Sequence, residues 1–432
     1  MLSNRARIPQ RETEELSVAV GVTCNAQFAP ILPLAFLLSV VRQVADRLGV
    51  PDVSTDWRET IERLRPDIVA IATPAALRGP VVEAAVAVGV HVLCEKPLAV
   101  TGEEAGRLYG LVKDAGIKHA YAATHRYGPS TQWLAELVRD SAIGTLDEIV
   151  STVRTGPVSI LPWSWASRVA DGGGLLNNGL PHALGILSDI AGGELLRVTG
   201  TARGHLDHAP VVSDLHDFRE GRHLRLTPEE AARYAQRPVD ADDAFTAIME
   251  FATPNGRVTA TSVVGPGLPV ADEAAGFRLY GSGGTLIARG VLDYDVSRIR
   301  AFGEAPEPLP VPQRLLDELP NVGDNVQNKW CALARDFVAD IRGEAFRPYL
   351  TFRDGWRYQV AVDTIRSGQG WRDLPGSDER RHVQVLARRT PAGRVGMDQP
   401  RSASEWRHGE ARYRASASAV SRKGRPTSPA PS

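Results

Sequence analysis

The chain reads as an α/β protein in two parts, an N-terminal parallel sheet of the doubly wound kind and a later region built on a sheet covered on one face. Three observations predict this. Between Ile68 and Thr124 strand-like and helix-like runs alternate with short connections, the pattern of a parallel unit wound in one sense. Four later segments are β-rich with partial alternation, as a half-covered sheet requires. With 432 residues, 43% of them hydrophobic, and a net charge of -1, there is apolar material for two cores and no basic excess aimed at nucleic acid.

Taken in order, Leu16 to Val22 makes a plausible first strand. Phe28 to Val41 is apolar but carries Pro30 and Pro33, is shorter than the roughly 18 residues of a membrane span, and is expected to pack as a distorted helix. Ile68 to Thr73 is a strand stopped at Pro74. Val81, Val82, Ala85, Val86 and Val88 then give one helical face that closes at Gly89. Val90 to Leu93 is a buried strand that runs into Cys94-Glu95-Lys96-Pro97, where Pro97 ends regular pairing. Thr101 caps the next helix, with Glu104 reaching back, and Leu108, Leu111 and Val112 supply its buried stripe up to Gly116. Lys118 to Thr124 is the following strand.

The turn at Glu95-Lys96-Pro97 therefore falls at the carboxyl end of a parallel strand, the rim on which such sheets bind ligands. An ammonium there can hold a polar substrate; the bland alternative is a surface salt bridge. A second cluster runs from Asp171 through Gly172-Gly173-Gly174 to Asn178 and His182. Three glycines allow a close approach of backbone to ligand, and Asn178 and His182, one helical turn apart, point the same way. Histidine exchanges protons near neutral pH, so His182 beside Lys96 is a candidate acid/base.

These motifs resemble the Gfo/Idh/MocA oxidoreductases, named for glucose-fructose oxidoreductase and inositol dehydrogenase. The resemblance extends from about Val44 to Pro375. It takes in Thr73-Pro74, Glu95-Lys96-Pro97, His125-Arg126-Tyr127 with Pro129, Ile143-Gly144, the triple glycine leading to His182, Tyr280 to Leu286, and Phe352-Arg353-Asp354-Gly355. It implies an N-terminal Rossmann-like NAD(P)-binding domain over residues 16–125 and a substrate and dimerisation domain over 126–376 with an open, mostly antiparallel sheet. Lys96 then holds and polarises a substrate hydroxyl, and His182 takes its proton as hydride leaves the same carbon. Neither event proceeds easily alone. Asn178 falls where many relatives carry aspartate; an amide orients a hydroxyl but is no base. Arg126, Trp163, Trp165 and Arg168 are candidate substrate contacts, with surface stacking as the plain alternative. Gly21, Ala26, Thr73, Pro74, Glu95 and Lys96 are the candidate cofactor contacts. The implied substrate is a sugar, inositol or related polyol. The uncovered sheet face implies a homo-oligomer.

The phosphate-binding loop departs from this pattern. Where G-x-G-x-x-G belongs, the chain has Gly21-Val22-Thr23-Cys24-Asn25-Ala26, and Thr23 puts a Cβ where backbone should meet pyrophosphate. The 74 positions from Gly21 to Glu95 are too few for two helices and two further strands; about 15 residues are lacking. Either Ala45 to Val50 ends the second helix and the ribose-binding strand is missing, or Asp46 is the ribose acid and that helix is missing. Residues 1 to about 43 thus read as a truncated Rossmann half or a stretch translated from a shifted frame. The damaged loop keeps a second reading open, a cofactor-impaired pseudoenzyme that binds sugar or acts as a scaffold.

The termini, 1–15 and 385–432, are expected to be disordered. From Pro391 onward, Ser, Ala, Arg and Pro dominate without periodicity, with eight basic residues against three acidic. Cys24, Cys94 and Cys331 are scattered and imply neither a disulfide framework nor a zinc site. His205, His208, His216 and His223 lack ligand spacing, so no metal is expected. Residence in the cytoplasm is the default, with no membrane or nucleic-acid partner. In the second part, Glu148 to Thr155, Val198 to Ala202, Ala244 to Phe251 and Arg257 to Val264 are the expected strands. Asn328 to Ile341 and Asp354 to Ile365 are expected helices that bury Trp330, Phe337 and Trp356.

Overall fold

Four parallel strands lie side by side in chain order: β1 (Val18–Gly21), β2 (Ile68–Ile71), β3 (His91–Glu95) and β4 (His119–Ala122). The structure, a computed structural model, describes residues 18–21, 42, 46, 53–212, 221, 223–267 and 275–376. Cys24, Thr23, Ala26, the Phe28 to Val41 segment, His216 and the two terminal segments lie outside the described residues.

The apolar runs of this sheet are continuous because both faces are buried. Val69, Ile71, Val92, Cys94 and Tyr121 turn to one side, into the main core. Ile68, Leu93, Ala120 and Ala122 turn to the other, where Ala332, Leu333 and Phe337 meet them. Two helices of the first side, α2 (Arg78–Ala87) and α3 (Gly102–Ala115), follow α1 (Trp57–Leu64), whose N-cap is Asp56. Thr101 caps α3 by accepting from the Glu104 N–H at 3.2 Å. The reciprocal half expected of Glu104 does not form: its carboxylate takes Arg107 instead, at 2.7 and 2.8 Å. Directly beside β1 lies β2, and among the described residues no strand lies beyond β1.

After α4 (Pro129–Arg139) the chain enters a nine-stranded sheet. Its strands are β5 (Leu146–Arg154), β6 (Glu194–Arg203), β9 (Ala244–Thr253), β10 (Gly256–Gly265), β11 (Ala275–Gly281), β12 (Gly284–Arg289), β13 (Asp295–Ile299), β14 (Glu307–Pro308) and β15 (Arg372–Asp373); a separate hairpin holds β7 (His208–Pro210) and β8 (Gln236–Pro238). Only the β5–β10 pair is parallel, so the sheet is mostly antiparallel as expected. Along β9, Phe245, Ala247, Met249 and Phe251 are buried under α5 (Leu175–Ala191), while Ile248 on the opposite face is 38% exposed. That alternation is the signature of a sheet roofed on one side.

Two late helices return to the first sheet. A reciprocal box between Asp324 and Gln327 starts α6 (Asn325–Arg342), which covers the Ile68–Leu93 face. The last helix, α7 (Phe352–Ser367), packs along α3, where Val360 and Trp356 fill the space left by Gly102 and Gly106. The Tyr121 N–H in β4 donates to Leu350 O at 2.8 Å. The described residues through Gly376 fall in one compact unit.

Candidate active site

Strand ends leave carbonyl groups without ladder partners, and a buried carbonyl needs a donor. At the ends of β2 and β3 one residue supplies them all. Arg78, the first residue of α2, is 4% exposed. Its Nε and Nη2 donate to Thr73 O at 2.8 and 2.6 Å, its Nη1 to Glu95 O at 2.6 Å and to Pro97 O, and its Nη2 also to Lys96 O at 3.3 Å. A guanidinium has five N–H donors in a fixed fork, and here each finds a main-chain acceptor. The Thr73-Pro74 and Glu95-Lys96-Pro97 turns are thereby tied together, with the Lys96–Pro97 peptide cis.

Glu95 and Lys96 diverge from this knot. The Glu95 carboxylate accepts from the Lys96 N–H at 2.7 Å and from Trp330 Nε1, on α6, at 3.2 Å. The Lys96 ammonium reaches α5, where it donates to both the carbonyl and the side-chain Oδ1 of Asn178 at 3.3 Å. Asn178 is itself oriented, since its Nδ2 donates to Gly174 O at 2.8 Å.

The triple glycine sets the start of α5 by close packing against the protein's own atoms, a role the sequence pattern did not suggest. A Cβ on Gly172 would lie 2.7 Å from Ala75 Cβ, on Gly173 2.4 Å from Ala166 O, and on Gly174 2.7 Å from Asp242 Oδ2. Asp242 serves as the remote cap: Leu175 N–H donates to its carbonyl at 2.7 Å and Leu176 N–H to its Oδ1 at 2.6 Å. Arg366 balances its charge at 3.2 Å.

One turn beyond Asn178, the His182 ring stacks on His125, with centroids 3.7 Å apart and planes within 9°. Its Nδ1 is buried and has no hydrogen-bond partner among the described residues. Burial pushes His182 well below the usual histidine range, and the Lys96, His125 and Lys329 charges push the same way. His125 falls to about 4, again through burial first and then Lys329 and Lys96. Both imidazoles are therefore neutral at pH 7. The arrangement offers an ammonium that can hold a hydroxyl, an amide that orients it and an uncharged imidazole that can accept a proton.

Protein-family models fit this architecture. One described as an oxidoreductase family with an NAD-binding Rossmann fold matches residues 38–122, and another, the GFO/IDH/MocA C-terminal domain, matches residues 131–287, together more than half of the chain. The chain belongs to the Gfo/Idh/MocA family. A levoglucosan dehydrogenase from Pseudarthrobacter phenanthrenivorans is 29% identical over 239 residues, 53% of this chain and 58% of that protein. A D-xylose dehydrogenase from Paenarthrobacter nicotinovorans is 26% identical over 354 residues, 78% of this chain and 84% of that one. Among solved structures, levoglucosan dehydrogenase in complex with NADH and L-sorbose superposes with a TM-score of 0.62 at 22% identity, covering 84% of this chain and 90% of that one.

In this Gfo/Idh/MocA chain the structure brings together Lys96, Asn178, His182 and Glu95, and it keeps Thr73 and Pro74 on the same rim through Arg78. Gly21 ends β1 opposite Ile71, hence beside that rim; Ala26 lies outside the described residues. Arg126 departs from its expected substrate role. It is buried and its guanidinium is engaged by Asp189 on α5, with Nε 2.8 Å from Oδ2 and Nη2 on Oδ1. Arg168 is exposed and faces Asp171 at 3.5 Å. With Trp163, Arg237, Pro238 and Asp240 it lines a cavity of about 320 Å³, in which Arg237 stacks over the Trp163 ring at 4.7 Å. Trp165 opens the short 3-10 turn that leads from Trp163 to Arg168. His205 is bound to Asp243 at 2.5 Å.

Sequence reasoning passed over Arg78, Asp242, Lys329 and the polar role of Trp330. Nothing local distinguishes Arg78 or Asp242 from surface charge. For Lys329 a signal existed: it stands at a position of the Asn328 to Ile341 helix that the apolar spacing assigns to the buried side.

Proposed function

We propose that this chain is an NAD(P)-dependent oxidoreductase that moves hydride between a nicotinamide and a carbinol carbon of a sugar, inositol or related polyol. The observation that carries this reading is the meeting of Lys96, from the first sheet, with Asn178 and His182 from the second lobe. Levoglucosan and D-xylose dehydrogenases among the relatives favour a sugar.

The residues at the rim suit a dinucleotide. Thr73 Oγ1, at the end of β2, is buried without a hydrogen-bond partner among the described residues, and the carboxyl ends of parallel strands are where such cofactors bind. Thr73, Pro74, Glu95 and Lys96 would hold the nicotinamide end, and Gly21 the approach to the phosphates. When bound, the nicotinamide supplies the hydride acceptor. Lys96 then holds the substrate hydroxyl and stabilises negative charge as it develops on oxygen. Asn178 fixes the ammonium and can orient a neighbouring hydroxyl. The His182 Nδ1 is sealed inside the fold, so Nε2 receives the hydroxyl proton while the C–H pair departs as hydride, leaving a carbonyl. Residues 16–125 would serve the cofactor and 126–376 the substrate, in a protein of the cytoplasm.

The open face of the nine-stranded sheet, which presents Ile248 and Tyr280, each 38% exposed, would seat a second copy of the chain. Departure of the phosphate loop from glycine favours the second reading, a cofactor-impaired sugar-binding protein. Titration with NADH and NADPH under nicotinamide fluorescence separates the two, and sedimentation of the same preparation reads the assembly. Saturable binding, sugar-dependent reduction of the oxidised cofactor, and a Lys96→Ala variant that still binds cofactor but turns over at least ~100-fold more slowly are the expected results. No saturation up to millimolar cofactor removes the dehydrogenase reading.

A further inference from the structure

We infer that Lys329 is a positioning residue for the proton-accepting imidazole, its buried ammonium backing the stacked His125–His182 pair from α6. The inference rests on His182 being that acceptor. Lys329 is fully buried. Its Nζ donates to Leu292 O at 3.0 Å, and Asp293, itself 61% exposed, comes only to 4.0 Å. Its stem fills the space beside Gly128, where a Cβ would lie 3.3 Å from Cε and 3.4 Å from Nζ. Gly128 N–H in turn donates to His125 O at 3.1 Å, so the ammonium lies beneath the turn that carries His125. The next residue, Trp330, holds the Glu95 carboxylate.

A buried ammonium whose carboxylate partner is solvent-exposed and at the limit of ion-pair distance is costly, and a methionine would fill the same volume at less cost. The charge acts where it stands. The titratable groups facing His182 are Lys96 from the β3 turn, His125 from the turn after β4, and Lys329 from α6; Lys329 and Lys96 also face His125, and Asp293 faces Lys329. Apart from Asp293, every one of them is basic. Burial first disfavours an imidazolium in the stack, and both ammoniums add to it, so His182 meets the substrate hydroxyl uncharged and with its ring held flat against His125.

The test uses the full chain, wild type and Lys329→Met, with histidine side-chain resonances followed by NMR against pH and His182→Gln as the assignment control. Wild-type His182 is expected to titrate well below the ordinary histidine range, and Lys329→Met to raise its titration by about one pH unit. The acidic limb of kcat/KM for sugar oxidation should move up equally, with KM on the alkaline side unchanged. A merely structural lysine would change stability and leave both titrations alone. Wild-type His182 titrating near 6.5 overturns the inference whether or not the variant folds. A folded Lys329→Met with unmoved titration does so too. A shifted titration without any turnover supports the role of Lys329 and removes the dehydrogenase reading instead.

Discussion

Arg78 commits its whole guanidinium to main-chain oxygens of the two turns that present Thr73 and Lys96. A lysine at this position keeps the charge but has three donors on a single atom and cannot span four residues' carbonyls. Arg78→Lys is expected to lose about 3 kcal/mol of stability in urea denaturation and to slow turnover with cofactor affinity largely kept. A variant as stable as wild type would show that the fork is dispensable. At this scale the meeting of Lys96 with Asn178 and His182 was legible, because a strand-ending Glu-Lys-Pro and a turn-spaced Asn and His stand out in the local pattern. Arg126 was not: what occupies it is Asp189, 63 positions away, and no local spacing announces such a pair. Arg78 sits in Leu77-Arg78-Gly79-Pro80, which reads as an exposed loop until the fold closes over it.

Among the elements, the start of α5 shows how little room the site leaves for error. The Gly173 position faces two carbonyl oxygens, of Ala166 and Arg168, and a methyl there would come within 2.4 and 2.6 Å of backbone that has no side-chain freedom to yield. Gly173→Ala is expected to cost about 2–3 kcal/mol and to lower turnover by displacing Asn178 and His182, checked by denaturation and steady-state kinetics on one preparation. Undiminished activity would mean that the helix start tolerates a shift. The strands of the first sheet and four of the second were legible from period, and Thr101 starts and Gly116 ends a helix where the pattern places them; the late helices begin a few residues before the expected Asn328 and Asp354, at Asn325 and Phe352. The reason for the three glycines was not legible, since the atoms they avoid come from residues 75, 166 and 242.

For the molecule as a whole, buried neutral histidines set an acid limit. Burial lowers both His119 and His125 to about 4 from 6.5. His119 Nδ1 also accepts the Phe352 N–H at 3.2 Å, a bond that protonation would break. Well above pH 6.5 neither group binds a proton in either state, so neither affects stability. Between 6.5 and 4 the unfolded chain takes up protons that the folded one refuses, and stability falls as pH falls. At pH 5 the expected loss is about 2 kcal/mol for each histidine, visible as a lower urea midpoint than at pH 7. Equal midpoints would mean that the two rings are protonated in the fold. The parallel winding of the first sheet was legible in the chain, but the return of residues 325–367 onto it was not, because contacts across more than 200 positions leave no periodic trace.

That return makes the first lobe a borrower. Its Ile68, Leu93, Ala120 and Ala122 face is lidded by α6, Trp330 grips its Glu95, and α7 lies along its α3. A gene fragment ending near Tyr127 would encode a sheet with one oily side bare to water, prone to clumping rather than to cofactor capture. Any recombination that trades this lobe between proteins has to carry the distant C-terminal helices with it, so the heritable unit here is discontinuous in sequence.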